Sequence, residues 1–273
     1  MEAEFESLEL DDQSFLSERT ERERIHFNKI AIRYLPPHLV MSRDNVDRYR
    51  NPPADTPFPL EYAFHLLGDL EGKTIVDLGC GEGLNTVILA ALGSKVIAVD
   101  ISDNRLKTTN DRVQANRLQK NVLVVHGDAT AIPIEDSRVH GVLCSSMLRH
   151  TDWIAAARQI RRILKPGGSA VFVEQVSGPI WLNKLRRLVP RPDHVSEDER
   201  PLNLRQVISI SRAVGRPGRS REFMLMSRIL DRIGIRHFPT VRKSHRIDSW
   251  ILDRFGFARS LASPLVWEAL KEQ

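Results

Sequence analysis

The densest group of chemistry-bearing residues is an acidic residue followed by closely spaced glycines, Asp77-Leu78-Gly79-Cys80-Gly81-Glu82-Gly83. This segment follows a β-rich run and opens a helical pattern. The glycines therefore allow a tight turn and a ligand that approaches the backbone closely, and the free N–H groups of the helix start suit a carboxylate or a phosphate. Because position 84 is Leu, the Gly-x-Gly-x-x-Gly spacing of a dinucleotide site is not met. The carboxylate of Asp77 also favours a cation over a pyrophosphate.

Two more acidic residues follow the next two β-rich runs. Asp100 comes directly after Lys95–Val99, where a carboxylate can accept both hydroxyls of a ribose; the alternative is a helix cap before Ser102. In Gly127-Asp128-Ala129 the carboxylate can accept a hydrogen bond from an adenine amino group, although Gly-Asp is also ordinary turn chemistry. Because open α/β sheets bind ligands at the carboxyl ends of their strands, these groups are expected at one edge.

The elements that position these residues alternate between strand and helix. The predicted strands are Thr74–Leu78, Lys95–Val99, Asn121–His126, Val139–Ser145, Ser169–Glu174, Arg221–Met226 and Leu265–Leu270. The predicted helices are Glu18–Tyr34, Leu60–Leu70, Asn85–Leu92, Asp103–Leu118, Asp152–Leu164, Trp181–Val189, Leu204–Val214 and Ile247–Phe255. This alternation predicts βαβ units and a parallel sheet with helices on both faces.

Composition sets the broad class. The chain has 273 residues, 41% of them hydrophobic, and 40 Lys and Arg against 35 Asp and Glu. These values exclude a wholly disordered chain, and no apolar run approaches the ~20 residues of a membrane-spanning helix. The acidic N-terminus shows no secretory signal. Cys80 and Cys144 are the only cysteines, so a disulfide scaffold is excluded, a cytoplasmic location is expected, and with no His-x-x-x-His or Cys-x-x-Cys spacing no metal site is predicted.

Charge is unevenly distributed. Residues 1–60 carry 8 Lys and Arg against 12 Asp and Glu, whereas residues 181–260 carry 18 against 8. The basic region indicates either an anionic partner or an arginine-rich surface exposed to water.

Taken together, these motifs resemble the class I S-adenosylmethionine-dependent methyltransferases, of the small-molecule (type 11-like) group. The matching segments are Val76–Gly83, Val99–Ser102, Gly127–Ala129 and the turn Leu164–Gly168, within roughly residues 62–176. Glu23–Ala31 is similar to the lid helix of many members. The resemblance implies a Rossmann-like, doubly wound, seven-stranded, mostly parallel sheet whose last strand is antiparallel, with N-terminal lid helices and a late helical insertion.

The resemblance also implies roles for residues around S-adenosyl-L-methionine, which would leave as S-adenosyl-L-homocysteine. Asp77 and the loop residues Gly79, Cys80, Gly81 and Gly83 would cradle its methionine part. Asp100 would hold the ribose, Ile101 would pack on the adenine, and Asp128 and Ala129 would bind the adenine edge. Cys144 and Ser145 would lie near the sulfonium and the acceptor. Cys80 is interpreted as a space-filling residue rather than a nucleophile.

Four other residues are candidates for catalysis or closure. His150, after the fourth strand, is the candidate base if the acceptor must lose a proton; the alternative is a capping or surface histidine. Glu174 either binds a polar acceptor or caps its strand. His26 and Tyr34 either close over the cofactor or pack within their helix.

The predicted division is an acidic tail, lid helix and proline-rich linker (1–59), a cofactor-binding core (60–176), an acceptor-side insertion (177–262) and a last strand (263–273). Apolar stripes beside arginines in the insertion favour a small-molecule or lipid-like acceptor, anionic or amphiphilic, and also allow peripheral membrane contact; the alternative is plain helical core. A nucleic-acid methyltransferase that uses the basic region is disfavoured, because Asn/Asp-Pro-Pro-aromatic is absent after the fourth strand. A non-catalytic nucleotide-binding protein of the same fold stays open.

Overall fold

A seven-stranded sheet is the centre of the computed structural model, which describes residues 18–31, 36–179, 201–225 and 238–273. Its strands are β1 (Thr74–Leu78), β2 (Lys95–Asp100), β3 (Val122–His126), β4 (Val139–Ser145), β5 (Leu164–Glu174), β6 (Arg216–Glu222) and β7 (Leu265–Leu270). They are ordered β3-β2-β1-β4-β5-β7-β6. β7 runs antiparallel to both of its neighbours, and the pairs among β1 to β5 are parallel. The predicted sheet, with its antiparallel last strand, is confirmed.

Eight α-helices lie within the described residues. They are α1 (Glu18–Ile30), α2 (Arg43–Asp47), α3 (Pro59–Leu67), α4 (Leu84–Ala91), α5 (Asp103–Ala115), α6 (Trp153–Ile163), α7 (Leu204–Val214) and α8 (Phe238–Arg254). Short 3₁₀ turns span Pro36–His38, Leu148–His150 and Gly256–Leu261. None of the described helices is long and apolar enough to cross a membrane.

The strands β1, β2, β4, β5 and β7 are largely buried on both faces. On one face, side chains of α6 and α7 pack on the strands, among them Ile160 and Ile210, both fully buried. On the other face, α3 and α4 contribute Phe64 and Leu89, and α5 adds Leu106. Burial on both faces explains why the parallel strands are almost continuously apolar in sequence.

Several boundaries differ from the predictions. Pro166-Gly167-Gly168, expected to precede the fifth strand, lies inside β5 as a bulge, because Leu164 already pairs with Val139 before Ser169 pairs with Gly141. The sixth strand is Arg216–Glu222 rather than Arg221–Met226, and the helix predicted over Ile247–Phe255 already begins at Phe238. These segments lack a strong apolar period, so sequence placed them poorly.

The range 177–262, assigned by sequence to an acceptor-side insertion, supplies parts of the central layers. β6 is the edge strand next to β7, and α7 packs against α6. The predicted helix Trp181–Val189 and the candidate Tyr34 lie outside the described residues.

Candidate functional site

Asp77 lies in β1 between the apolar residues Val76 and Leu78 and is buried, with 1% of its surface exposed. The hydroxyl of Thr86, on α4, donates a hydrogen bond of 2.6 Å to its Oδ2. Burial raises the pKa of Asp77 to about 7; the Thr86 hydrogen bond opposes that shift and the nearby charge of Asp100 adds to it. A carboxyl poised in this way is set to lose its proton when a cation arrives.

The glycine loop after β1 has left-handed backbone at Gly79, Gly81 and Gly83, with φ of +73°, +55° and +77°. A Cβ at Gly79 would lie 2.5 Å from the Met147 side chain, and one at Gly83 would lie 2.9 Å from Thr109. At Gly81 the nearest atom to such a Cβ is an Arg105 nitrogen at 3.7 Å. The loop is therefore packed at its two ends and opens at its middle glycine.

Asp100, at the end of β2, holds the backbone of the loop in place at Gly81. Its Oδ2 accepts the N–H of Gly81 at 2.8 Å, and its Oδ1 accepts the N–H of Ser102 at 2.9 Å. Burial raises its pKa, while these backbone hydrogen bonds and Arg105 oppose the shift. The cap of α5 is Ser102, which accepts from Arg105 N–H. Asp100 is thus a brace for the glycine loop rather than the helix cap.

The segment after β3 lies beside Asp100. Gly127 donates its N–H to the Asp100 carbonyl at 3.0 Å, and Asp128 accepts the N–H of Thr130 at 2.9 Å. Asp128 and Ala129 are buried, and the half-buried Ile101 accepts a hydrogen bond from His126 through its carbonyl. The structure therefore brings together Asp77, the glycine loop, Asp100 and Asp128 at the carboxyl edge of β1 to β3.

Both cysteines lie next to this group. Cys80 and Cys144 are buried, and burial raises the pKa of both thiols well above the ordinary value. The charges of Asp77 and Asp100 act on Cys80, and those of Glu174 and Asp77 act on Cys144. Neither thiol is a thiolate at neutral pH, so neither is an activated nucleophile.

Glu174 and Ser145 lie at the ends of β5 and β4. The fully buried Glu174 accepts the backbone N–H groups of Met147 and Leu148 at 2.6 and 2.7 Å. Ser145 is half-buried. Glu174 therefore stabilises the turn that carries Met147 over the glycine loop, and an additional role toward an acceptor stays a prediction.

Helix α1 is anchored at its C-terminal end to the loop after β2. Asn28 Oδ1 accepts hydrogen bonds from the Ser102 hydroxyl at 2.8 Å and from the Asn104 N–H at 3.1 Å. Arg24 lies 3.6 Å from the Asp103 carboxylate. These contacts hold the helix beside the ribose-binding position that Asp100 is predicted to form.

The same helix is anchored to the loop after β4. Glu23 Oε2 lies 3.2 Å from His150 Nδ1, and both side chains are buried. The Phe27 ring meets the His150 ring edge-on at 5.0 Å. Arg149 donates through Nε to His150 Nε2 at 3.1 Å. Helix α1 therefore spans the carboxyl edge from β2 to β4, with His150 as one of its attachment points.

Two buried nitrogens, one on α1 and one packed against it, have no hydrogen-bond partner among the residues that the structure describes. They are Nε of Arg105 and Nε2 of His26. The Arg105 guanidinium lies 4.3 Å from the centre of the Phe27 ring, and the His26 ring lies 5.3 Å from Phe27. Because buried polar atoms are normally hydrogen-bonded, the Arg105 Nε fits a polar ligand at the glycine loop, since the Arg105 side chain lies next to Gly81.

Sequence reasoning placed Glu23, Phe27 and Asn28 in the lid helix but gave them no individual role, and it missed Thr86 and Arg105. The amphipathic pattern of α1 showed that the helix packs on something. It did not show which loops the helix bridges, because those partners lie about 75 to 130 positions further along the chain.

Comparison with known proteins gives the class of this domain. Residues 76–172 match the family model described as a methyltransferase domain. The chain is 34% identical over 120 residues to a ubiquinone biosynthesis O-methyltransferase of Alkalilimnicola ehrlichii, covering 42% of this chain and 47% of that protein. It is 37% identical over 112 residues to a demethylmenaquinone methyltransferase of Lactococcus lactis, covering 40% and 44%. The matches span about half the length of these curated relatives.

The fold comparison agrees. The crystal structure of geranyl diphosphate C-methyltransferase from Streptomyces coelicolor A3(2) superposes with a TM-score of 0.58 at 17% identity, over 77% of each chain. Residues 76–172 therefore match a methyltransferase domain, and the chain has the fold of that methyltransferase structure, as the sequence motifs predict.

Proposed function

We propose that this protein is an S-adenosylmethionine-dependent methyltransferase that acts on a small-molecule or lipid-like acceptor. The observation that carries the proposal is the arrangement of carboxyls around the glycine loop. The Asp100 carboxylate accepts the N–H of Gly81 in the loop. Asp77 is buried in the strand that precedes the loop, and Asp128 follows the neighbouring strand β3. The Arg105 Nε, which has no hydrogen-bond partner among the described residues and lies on the side chain next to Gly81, fits a ligand with polar groups.

Bound there, S-adenosylmethionine would supply a methyl group already activated on a positive sulfur. The chain's own task is then to bind, orient and exclude water. The ionised Asp77 attracts the positive charge of the amino-acid part, and Asp100 keeps further acceptor positions for ribose hydroxyls. Helix α1 covers the edge and keeps water out.

The acceptor class is supported by relatives whose names refer to ubiquinone and demethylmenaquinone. We propose an acceptor of this lipid-like kind, adjacent to Ser145 and Glu174. His150 is the proposed base where the acceptor must lose a proton. In the observed arrangement its two ring nitrogens contact Glu23 and Arg149, so His150 reaches an acceptor only when one of these contacts opens.

A ligand-stabilisation experiment tests the cofactor. Thermal unfolding is measured with S-adenosylmethionine, S-adenosylhomocysteine or NAD, all at the same high concentration. A ligand present at about 100-fold its dissociation constant stabilises the folded state by about 2.7 kcal/mol. We expect a shift with the two sulfur nucleosides and none with NAD. A shift with NAD alone contradicts the proposal. Radiolabelled methyl transfer to quinone precursors, compared with DNA and RNA, then distinguishes the acceptor classes.

A further inference from the structure

Four exposed apolar side chains cluster on α8 and the turn that follows it. We call them the aromatic patch: Ile247, Trp250, Phe255 and Phe257, exposed by 48%, 64%, 42% and 74%. The ring centres of Trp250 and Phe255 are 6.2 Å apart, and those of Phe255 and Phe257 are 6.0 Å apart. Contiguous exposed aromatics of this kind mark an interaction surface, whereas single exposed apolar residues do not.

The phase of α8 shows that this face is not part of the core. Asp248 and Leu252 point to the interior, with 1% and 4% exposure. Ile247, Trp250 and Arg254 follow one another on the opposite side of the helix, and all three are exposed. Two of these three positions are apolar, whereas the water-exposed side of a helix normally carries polar residues.

The charge around the patch is basic. Residues 238–262 contain five Lys and Arg against two Asp, a net charge of +3 with histidine neutral. Of the two acidic residues, Asp248 is buried and Asp253 lies 3.3 Å from Arg221. The outward charge therefore comes from exposed basic side chains: Arg242, Lys243, Arg246, Arg254 and Arg259.

We propose that the aromatic patch docks this protein on an anionic lipid bilayer. Tryptophan prefers the boundary between headgroups and acyl chains, an amphipathic helix with basic flanks lies in that plane, and each basic residue near an anionic surface adds attraction. A second copy of the chain fits the patch less well. A two-fold interface would place the same arginines of both copies against each other.

The patch and the candidate site lie at the same edge of the sheet. Leu265, which follows the turn after α8, pairs with Glu174 at the end of β5 and with Glu222 at the end of β6. The Val176 N–H donates to the Ser263 hydroxyl at 3.1 Å. Docking would therefore bring the β5 and β6 end of the carboxyl edge close to the bilayer. If the proposed function holds, a lipid-like acceptor would be presented to the site from that side.

Vesicle flotation tests the docking directly. The full chain is mixed with neutral phosphatidylcholine vesicles or with vesicles containing about 30% phosphatidylglycerol, whose negative charge attracts basic segments. We expect binding to the anionic vesicles and little binding to the neutral ones. The triple variant Trp250→Ala, Phe255→Ala, Phe257→Ala is expected to bind at least about tenfold more weakly, and Arg246→Glu, Arg254→Glu is expected to lose the preference for anionic lipid.

The matched control is Leu204→Ala, Ile208→Ala, which removes two exposed apolar side chains of α7 and is expected to bind as the wild type does. Absence of wild-type binding, or equal binding by the aromatic triple variant, overturns the proposal. The proposal is also overturned if the wild type does not bind vesicles but forms a dimer in sedimentation velocity, and if the triple variant is a monomer. The patch would then be an interface between two copies of the chain. S-adenosylhomocysteine affinity, measured on the same variants, is expected to stay unchanged. If the wild type did not bind S-adenosylhomocysteine, that result would contradict the proposed function but not the docking proposal.

Discussion

At the scale of single residues, the raised pKa of Asp77 predicts that a cationic ligand will bind with release of a proton. Its pKa is about 7 in the folded chain against an ordinary 3.8. The folded state therefore holds a proton between these values that the unfolded state has lost. The contribution of this group to the free energy of unfolding thus falls as the pH rises from about 4 to about 7, by at most about 1.4 kcal/mol per pH unit.

A cationic ligand reverses that preference, since it stabilises the ionised carboxylate. We expect S-adenosylhomocysteine, whose ammonium group is positive, to bind more tightly as the pH rises from 6 to about 7, with release of a proton. Calorimetry at pH 6 in buffers of different ionisation enthalpy measures that proton. Asp77→Asn should abolish the release and flatten the pH dependence. Equal proton release by the variant and the wild type would assign the titration to another group.

Asp100 gives a second prediction at this scale. Its carboxylate accepts two backbone N–H groups, so Asp100→Ala leaves both without that acceptor. We expect the free energy of unfolding to fall by about 1–3 kcal/mol without any ligand, and the affinity for S-adenosylhomocysteine to fall as well. Urea denaturation and calorimetry measure the two effects. Asp111→Ala, at an exposed position on α5, is the control. If it lowered stability and affinity as much as Asp100→Ala does, the hydrogen bonds of Asp100 to the loop would not explain either effect.

At the scale of elements, α1 is held over the carboxyl edge by a few polar contacts in its middle and at its C-terminal end. The double variant Glu23→Ala, Asn28→Ala removes the His150 contact and the acceptor for Ser102 and Asn104. Because these contacts contribute about 1 kcal/mol each, we expect α1 to open at least about tenfold more often. Hydrogen exchange of the α1 amides and stopped-flow dissociation of S-adenosylhomocysteine should both become faster.

Lys29→Ala, exposed on the same helix, is the control for that experiment. It should leave both rates unchanged. Faster exchange in the double variant without faster ligand release would show that α1 packs on the edge but does not retain the ligand.

At the scale of the whole molecule, the sequence predicts those elements whose structure is determined by a local pattern of residues. The bounds of β1, β4 and β7 agree with their predictions, because buried strands must be apolar runs. The glycine loop and the carboxyls around it are predicted because they lie in or directly after those apolar strands. β6 has the sequence Arg-Pro-Gly-Arg-Ser-Arg-Glu and no apolar period. It becomes a strand by pairing with β7, a long-range interaction that local propensity does not report.

Arg221 shows how such long-range contacts join the late segments to the sheet. From β6 it donates to the carbonyls of Ala54 and Thr56 at 3.0 and 3.1 Å, and to Ser249 on α8 at 2.8 Å. We expect Arg221→Ala to lower the free energy of unfolding by about 1–3 kcal/mol and to speed hydrogen exchange in α8 more than in β1 or β4. Arg216→Ala, exposed on the same strand, should do neither. If both variants behave alike, α8 is held by its apolar contacts through Leu252 and Ala258, and the aromatic patch keeps its position without Arg221.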